Sequence, residues 1–118
     1  MILPELEKLV IDAFTTLNVS RLHKLDRDVL YSGLDKEQVI EEIEIELIKI
    51  RKLGLDKLEA RPSKCKFCYP EGKAFSFHNT ETGKFIIRYV IHQEDQSRFI
   101  IERCQNRIIP DGENGLPF

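Results

Sequence analysis

The sequence predicts an α+β domain in which N-terminal helices lie on one face of a curved antiparallel β-meander. Three observations carry that expectation. The first half of the 118 residues repeats its apolar side chains at helical spacing. The second half alternates them, or gathers β-branched and aromatic residues into short runs. Capping and turn residues fall at the junctions between these runs. With 42% hydrophobic residues the chain has material for a core without disulfide staples. Its length fits one domain, placed here at residues 1–109. The last nine residues, "PDGENGLPF" at 110–118, hold two Pro and two Gly and read as an irregular tail.

The first helix is expected over 4–17. Pro4 suits the first turn, Glu5 and Glu7 suit its positive end, and Leu6, Leu9, Val10, Ala13, Phe14 and Leu17 keep helical spacing. Asn18 marks the stop. Ser20 then caps a second helix over 21–31 carrying Leu22, Leu25, Val29 and Leu30, which Ser32-Gly33 breaks. Asp35-Lys36-Glu37-Gln38 has the form of a capping box. The third helix follows over 36–53, with Val39, Ile40, Ile43, Leu47 and Ile50 on one face, Arg51 and Lys52 at its negative end and Gly54 as a left-handed stop. The segment "IEIELIKI" at 43–50 also alternates with period two, as a strand would. The cap, the length and the Glu/Leu/Lys content favour helix. Glu41, Glu42, Glu44 and Glu46 are expected on its solvated face.

Strands are expected at 57–60, 74–78, 84–92 and 98–104. Asn79–Gly83 is the turn between the second and third, with Gly83 free to take a positive φ. Residues 93–96 form the turn before the fourth. The central run "KFIIRYVIH" sets Phe85, Ile87, Tyr89 and Ile91 against Ile86, Arg88, Val90 and His92. Both sets are largely apolar, so one faces the helices and the other lines a pocket, meets a second copy or lies under the tail. Arg88 and Glu102 are placed to pair across the last hairpin.

A net charge of −2 leaves no electrostatic footprint for nucleic acid. Residues 1–60 carry nine Lys+Arg against 13 Asp+Glu, and residues 61–118 nine against seven, an offset that solvated faces explain. The N-terminus lacks a basic region followed by an apolar run, and no run approaches the roughly 20 residues of a membrane span. The expectation is a soluble, cytoplasmic chain with no nucleic-acid or membrane partner. In a reducing compartment a close cysteine pair points to metal binding or redox chemistry rather than to a structural disulfide.

That pair lies in "KCKFCYPEG", where Cys65 and Cys68 take the spacing of a zinc knuckle. A tight turn with two intervening residues aims both sulfurs at one centre. Tyr69-Pro70-Glu71-Gly72 follows, then a strand, so no helix N-terminus is at hand to lower a thiol pKa as a redox pair requires. Reduced cysteines that simply pack are the remaining alternative. A zinc site needs more donors, and hairpin arithmetic selects among Cys104, His78 and His92. With the turn at 93–96, Cys104 falls opposite Phe85 and His92 beside the turn. Seven residues at roughly 3.3 Å each then hold His92 over 20 Å away. His23 lies far off on a helix. The 79–83 turn brings His78 to the Phe85 end, two strands from Cys104. The candidate zinc ligands are therefore Cys65, Cys68, Cys104 and His78.

The element order, "LVIDAFTTLNVSRLHKL" into "LDKEQVIEEIEIELIKI" and then "KFIIRYVI" and "RFIIERC", resembles the cystatin-like and NTF2-like α+β domains over most of residues 3–105. The resemblance implies a cone-like pocket between helix and sheet, used in some members for catalysis and in others for binding or dimerisation. Tyr89, Arg88, His92 and Asp26 are the polar candidates for such a pocket. Three functions follow as expectations. The first is a non-enzymatic binding or regulatory domain with a structural zinc knuckle tying the 65–72 loop to the sheet. The second is an NTF2-like pocket enzyme or small-ligand binder. The third is an interaction module with unliganded cysteines that forms a homodimer through the sheet. No phosphate loop, nucleophile elbow or local Ser/His/Asp set is present.

Overall fold

Two α-helices lie on one face of a five-stranded mixed sheet in the computed structural model, which describes residues 2–63 and 73–104. Helix α1 runs Leu3–Thr16, strand β1 Leu30–Tyr31, helix α2 Lys36–Arg51, and strands β2 to β5 Leu58–Ser63, Lys73–Asn79, Phe85–Asp95 and Arg98–Arg103. The sheet order is β1-β5-β4-β3-β2. Strands β2 to β5 form the expected antiparallel meander. Strand β1 adds a fifth, parallel to β5, so the sheet is mixed rather than a pure meander. The expected tail at 110–118 lies outside the described residues. Among those described, no helix is long and apolar enough to cross a membrane.

Helix α1 ends where Leu17 turns left-handed at φ 52°, one residue before the expected stop. The amide of Asn18 closes back on the Ala13 carbonyl at 3.0 Å. A left-handed Leu is strained, and two features offset the strain. The Leu17 side chain is buried, and its carbonyl accepts from Arg51 Nη1 at 2.6 Å, which joins the C-terminal ends of the two helices. Helix α2 begins with both halves of the capping box. The Gln38 amide donates to Asp35 Oδ1 at 2.8 Å, and the Asp35 amide donates to Gln38 Oε1 at 3.0 Å. Val39, Ile43, Leu47 and Ile50 face the core, and Gly54 takes the left-handed turn at φ 86°.

The second helix expected at 21–31 does not form. A single 3-10 turn at Ser20–Lys24 is all the helix there is, and Leu30–Tyr31 is strand instead. Leu22, Leu25 and Val29 are buried as a helix would bury them, which is why the spacing misleads. Long-range pairing overrides it. The Leu30 amide donates to the Ser97 carbonyl at 2.9 Å, and the Ser32 amide to the Phe99 carbonyl at 2.7 Å. Ser32 and Gly33 both have positive φ, 54° and 79°, and the Tyr31 and Leu34 backbones bond reciprocally around them. This is the geometry of a two-residue hairpin turn of the primed type. Lys36, largely buried, donates its ammonium to the His23 carbonyl and so fastens the 3-10 turn to α2.

Phe77, Ile87, Tyr89, Ile91, Phe99 and Ile101 join the helices in one core cluster. Phe14 is its hub, with ring centroids 4.8 Å from Phe77 and 4.6 Å from Tyr89. The alternation expected along β4 fails at its start. The β3–β4 register shifts between Phe77 and His78, so Phe77 pairs with Ile87 but His78 with Phe85. Ile86 is the additional residue of this bulge, and it joins the helix-side core. Phe85 swings to the other face, 5.9 Å from the His78 ring and 5.2 Å beneath the Arg88 guanidinium.

Candidate functional site

The residues with chemistry fall into two places, the outer face of the sheet and one edge of the helix–sheet interface. On the outer face, Ala74 and Val90 make a small second cluster with half-buried Cys104. Beside it, Ser76, His78 and Arg88 are buried. The His78 ring is bonded at both nitrogens. Nδ1 lies 3.0 Å from the Gly83 carbonyl and Nε2 2.8 Å from Ser76 Oγ. A carbonyl only accepts, so Nδ1 carries the hydrogen, and the neutral ring accepts the Ser76 hydroxyl at Nε2. Burial pushes the His78 pKa down, and Arg61 and Arg88 add to this, against the raising effect of the Gly83 carbonyl and of Glu59. Arg88 donates from Nε to Ser63 Oγ at 2.9 Å.

The last hairpin is tighter than expected. Strand β4 continues to Asp95, which pairs with Arg98, leaving Gln96-Ser97 as the turn. Asp95 holds it by accepting from the Ser97 amide at 2.8 Å and the Ser97 hydroxyl at 3.0 Å. These two bonds keep its carboxyl below the usual carboxylate range. The shift in register moves Cys104 from Phe85 to Arg88, whose carbonyl accepts from the Cys104 amide at 2.8 Å. It also places His92 opposite Ile100 rather than beside the turn. Glu102 stands opposite Val90, diagonal to Arg88.

Cys65 and Cys68 lie outside the described residues. Cys104 and His78 share the outer face. Arg88 pairs with Ser76, so Cys104 and His78 are two strand spacings and two residues apart, roughly 12 Å between backbones. Among the described residues, no group of three or more His, Cys, Asp and Glu is arranged to hold a metal. The flank Ser63 of the Cys65–Cys68 segment is on the same outer face, three strand spacings and two residues from Cys104, roughly 16 Å between backbones. Ser63 pairs with Ala74, and Ala74 belongs to the cluster on which Cys104 packs.

At the helix–sheet edge, Glu46 of α2 turns inward. Arg103 Nη1 of β5 lies 3.7 Å from its Oε2, and Lys49 Nζ 3.7 Å from its Oε1. Glu7 of α1 is also buried, with Lys73 Nζ of β3 3.5 Å from Oε2. Both Oε2 atoms are buried without a hydrogen bond to a described residue. Tyr89 is buried nearby, and its phenol pKa is driven far up, first by burial and then by the Glu46 charge. The four pocket candidates do not come together. Tyr89 faces the helices, Arg88 and His92 take the alternate positions on the opposite face, and Asp26 sits before β1, where its carbonyl accepts from the Tyr31 hydroxyl at 3.0 Å. Glu46 was expected in solvent, and the signal that places it was present. It stands three residues after Ile43 and four before Ile50, both core positions.

No protein-family model, curated protein or solved structure matches this chain.

Proposed function

We propose that the chain is a small binding or regulatory domain in which Cys65, Cys68 and Cys104 hold a structural zinc ion. One observation carries the reading. Cys65 and Cys68 have the spacing of a zinc knuckle, and their segment joins β2 to β3 of the sheet whose outer face carries Cys104 on the Ala74–Val90 cluster. A thiolate-rich set suits zinc. His78 completes the set only if the metal displaces Ser76 from Nε2. Reduced thiols imply a reducing compartment such as the cytoplasm. Binding energy at such a site is folding energy. Purified protein should therefore contain about one zinc per chain, and Cys104→Ser or a chelator should lower Tm by about 10 °C or more. Clearly substoichiometric zinc, with Tm unchanged in Cys65→Ser and Cys68→Ser, rejects the proposal.

A second reading, a cystatin-like or NTF2-like ligand pocket, draws support from the long helix laid across a meander and from Tyr89, Glu46 and Arg103 meeting at its edge. A thermal-shift screen with small amines and carboxylates tests it. Stabilisation that Glu46→Gln abolishes supports a pocket there, and no shift at millimolar ligand removes it.

A further inference from the structure

Helix α2 carries an outer stripe that no other described element covers. Ile45 and Ile48 are 45% and 39% exposed. They sit three residues apart, flanked by Glu41 four residues before and Lys52 four residues after. These four share the face opposite Val39, Ile43, Leu47 and Ile50. Glu41 and Lys52 have no ion pair or side-chain hydrogen bond with a described residue. The charges are segregated, with Glu41, Glu42 and Glu44 before the isoleucines and Lys49, Arg51 and Lys52 after them. A helix dipole favours such an order only within the first and last turns, and Glu41 to Glu44 lie beyond the first.

We infer that this stripe is the contact surface for a second copy of the chain, packed antiparallel on the same stripe about a two-fold axis. The axis passes between Ile45 and Ile48, so each Ile45 meets the other copy's Ile48. Each Glu41 then faces a Lys52, because a two-fold contact is self-complementary. Parallel packing would set like charges against each other. The expected contact through the sheet gains no such support, since Ala74, Val90 and Ile100 on its outer face are buried already. The stripe from Glu41 to Lys52 is about 16 Å long. That is short of a standard interface, and a weak, reversible dimer is expected.

Sedimentation equilibrium of the full chain up to about 1 mM tests the inference. The wild type should dimerise, and Ile45→Asp should leave a monomer of unchanged Tm, because the side chain is exposed. Glu41→Lys and Lys52→Glu should each weaken association by about tenfold. The double variant Glu41→Lys/Lys52→Glu should restore it, since the two-fold swaps both partners at once. A wild type that stays monomeric, a dimer that persists unchanged in Ile45→Asp, or a double variant no better than the singles would each overturn the inference.

Discussion

Ser32 shows how much one side chain can do. Its left-handed backbone is uncommon for a non-glycine residue, and its hydroxyl takes the place of a missing strand residue. Ser32 Oγ donates to the Ile101 carbonyl at 3.0 Å and accepts from the Ile101 amide at 2.9 Å, so the two-residue β1 ladder is extended by a side chain. Ile101 is buried, so Ser32→Ala leaves two polar groups unpaired. A loss of about 1–3 kcal/mol is expected in urea unfolding. Ser32→Gly, which relieves the backbone but loses the same bonds, should not recover it. His78 makes a second residue-scale prediction. Its folded pKa lies below the unfolded value, so the unfolded chain binds the proton more tightly. Stability from this group is therefore complete above about pH 6.5 and declines as pH falls from there toward the folded pKa. Urea midpoints between pH 5 and pH 8 should fall with acid in the wild type. In His78→Gln that slope should shrink; an unchanged slope would exclude His78 as its source.

At the scale of elements, α2 is the best-specified piece of the chain. Its capping box satisfies two amides that the helix cannot. Asp35→Ala should cost about 1 kcal/mol, and Asp35→Ser should cost less, read from the same unfolding curves. Period two in "IEIELIKI" gives a helix because Ile43, Leu47 and Ile50 reach the core while Ile45 and Ile48 are left outside. The segment at 25–31 is the opposite case. Its leucines and valine fit a helical stripe, but the free edge of β5 offers the backbone partners that one more helical turn would supply only locally. On the other edge, β2 carries Pro62 opposite Phe75, a position where a missing amide is tolerated because, among the described residues, no further strand pairs with β2. A two-residue strand at one edge and a proline at the other both discourage sheet-to-sheet association.

Over the whole molecule, Phe14 joins the helical layer to the sheet. It is fully buried and meets Phe77 and Tyr89, on two neighbouring strands. Phe14→Ala should cost about 3–5 kcal/mol, a large share of the roughly 5–15 kcal/mol that a domain of this size commands. A drop in urea midpoint with little change in m-value would be its signature. The two layers are also joined by charge. Glu7 and Glu46 lie under the helices against Lys73 and Arg103 of the sheet, and removing one partner leaves the other charge stranded.

The sequence by itself determined the class of fold, both long helices to within a residue or two, the capping box at Asp35, the left-handed glycines 54 and 83, and the meander from β2 to β5. Each of these depends on short-range chemistry, in which a cap, a glycine or a periodic stripe acts within a few residues. The tertiary structure decided what depends on pairing between distant segments. It turned the expected helix at 21–31 into a 3-10 turn and an edge strand, because β5 lies 69 residues from Ser32 along the chain and nothing local announces it. It moved Cys104 from Phe85 to Arg88, because Asp95 and Ser97 close a two-residue turn that the polar run at 93–96 does not specify. It enclosed His78 between Ser76 and Gly83, and it turned Phe85 outward at a bulge no alternation rule foresees. A side chain's type is written in the sequence, but which neighbours it meets is set by strand register, and one or two residues of register change every partner along a strand.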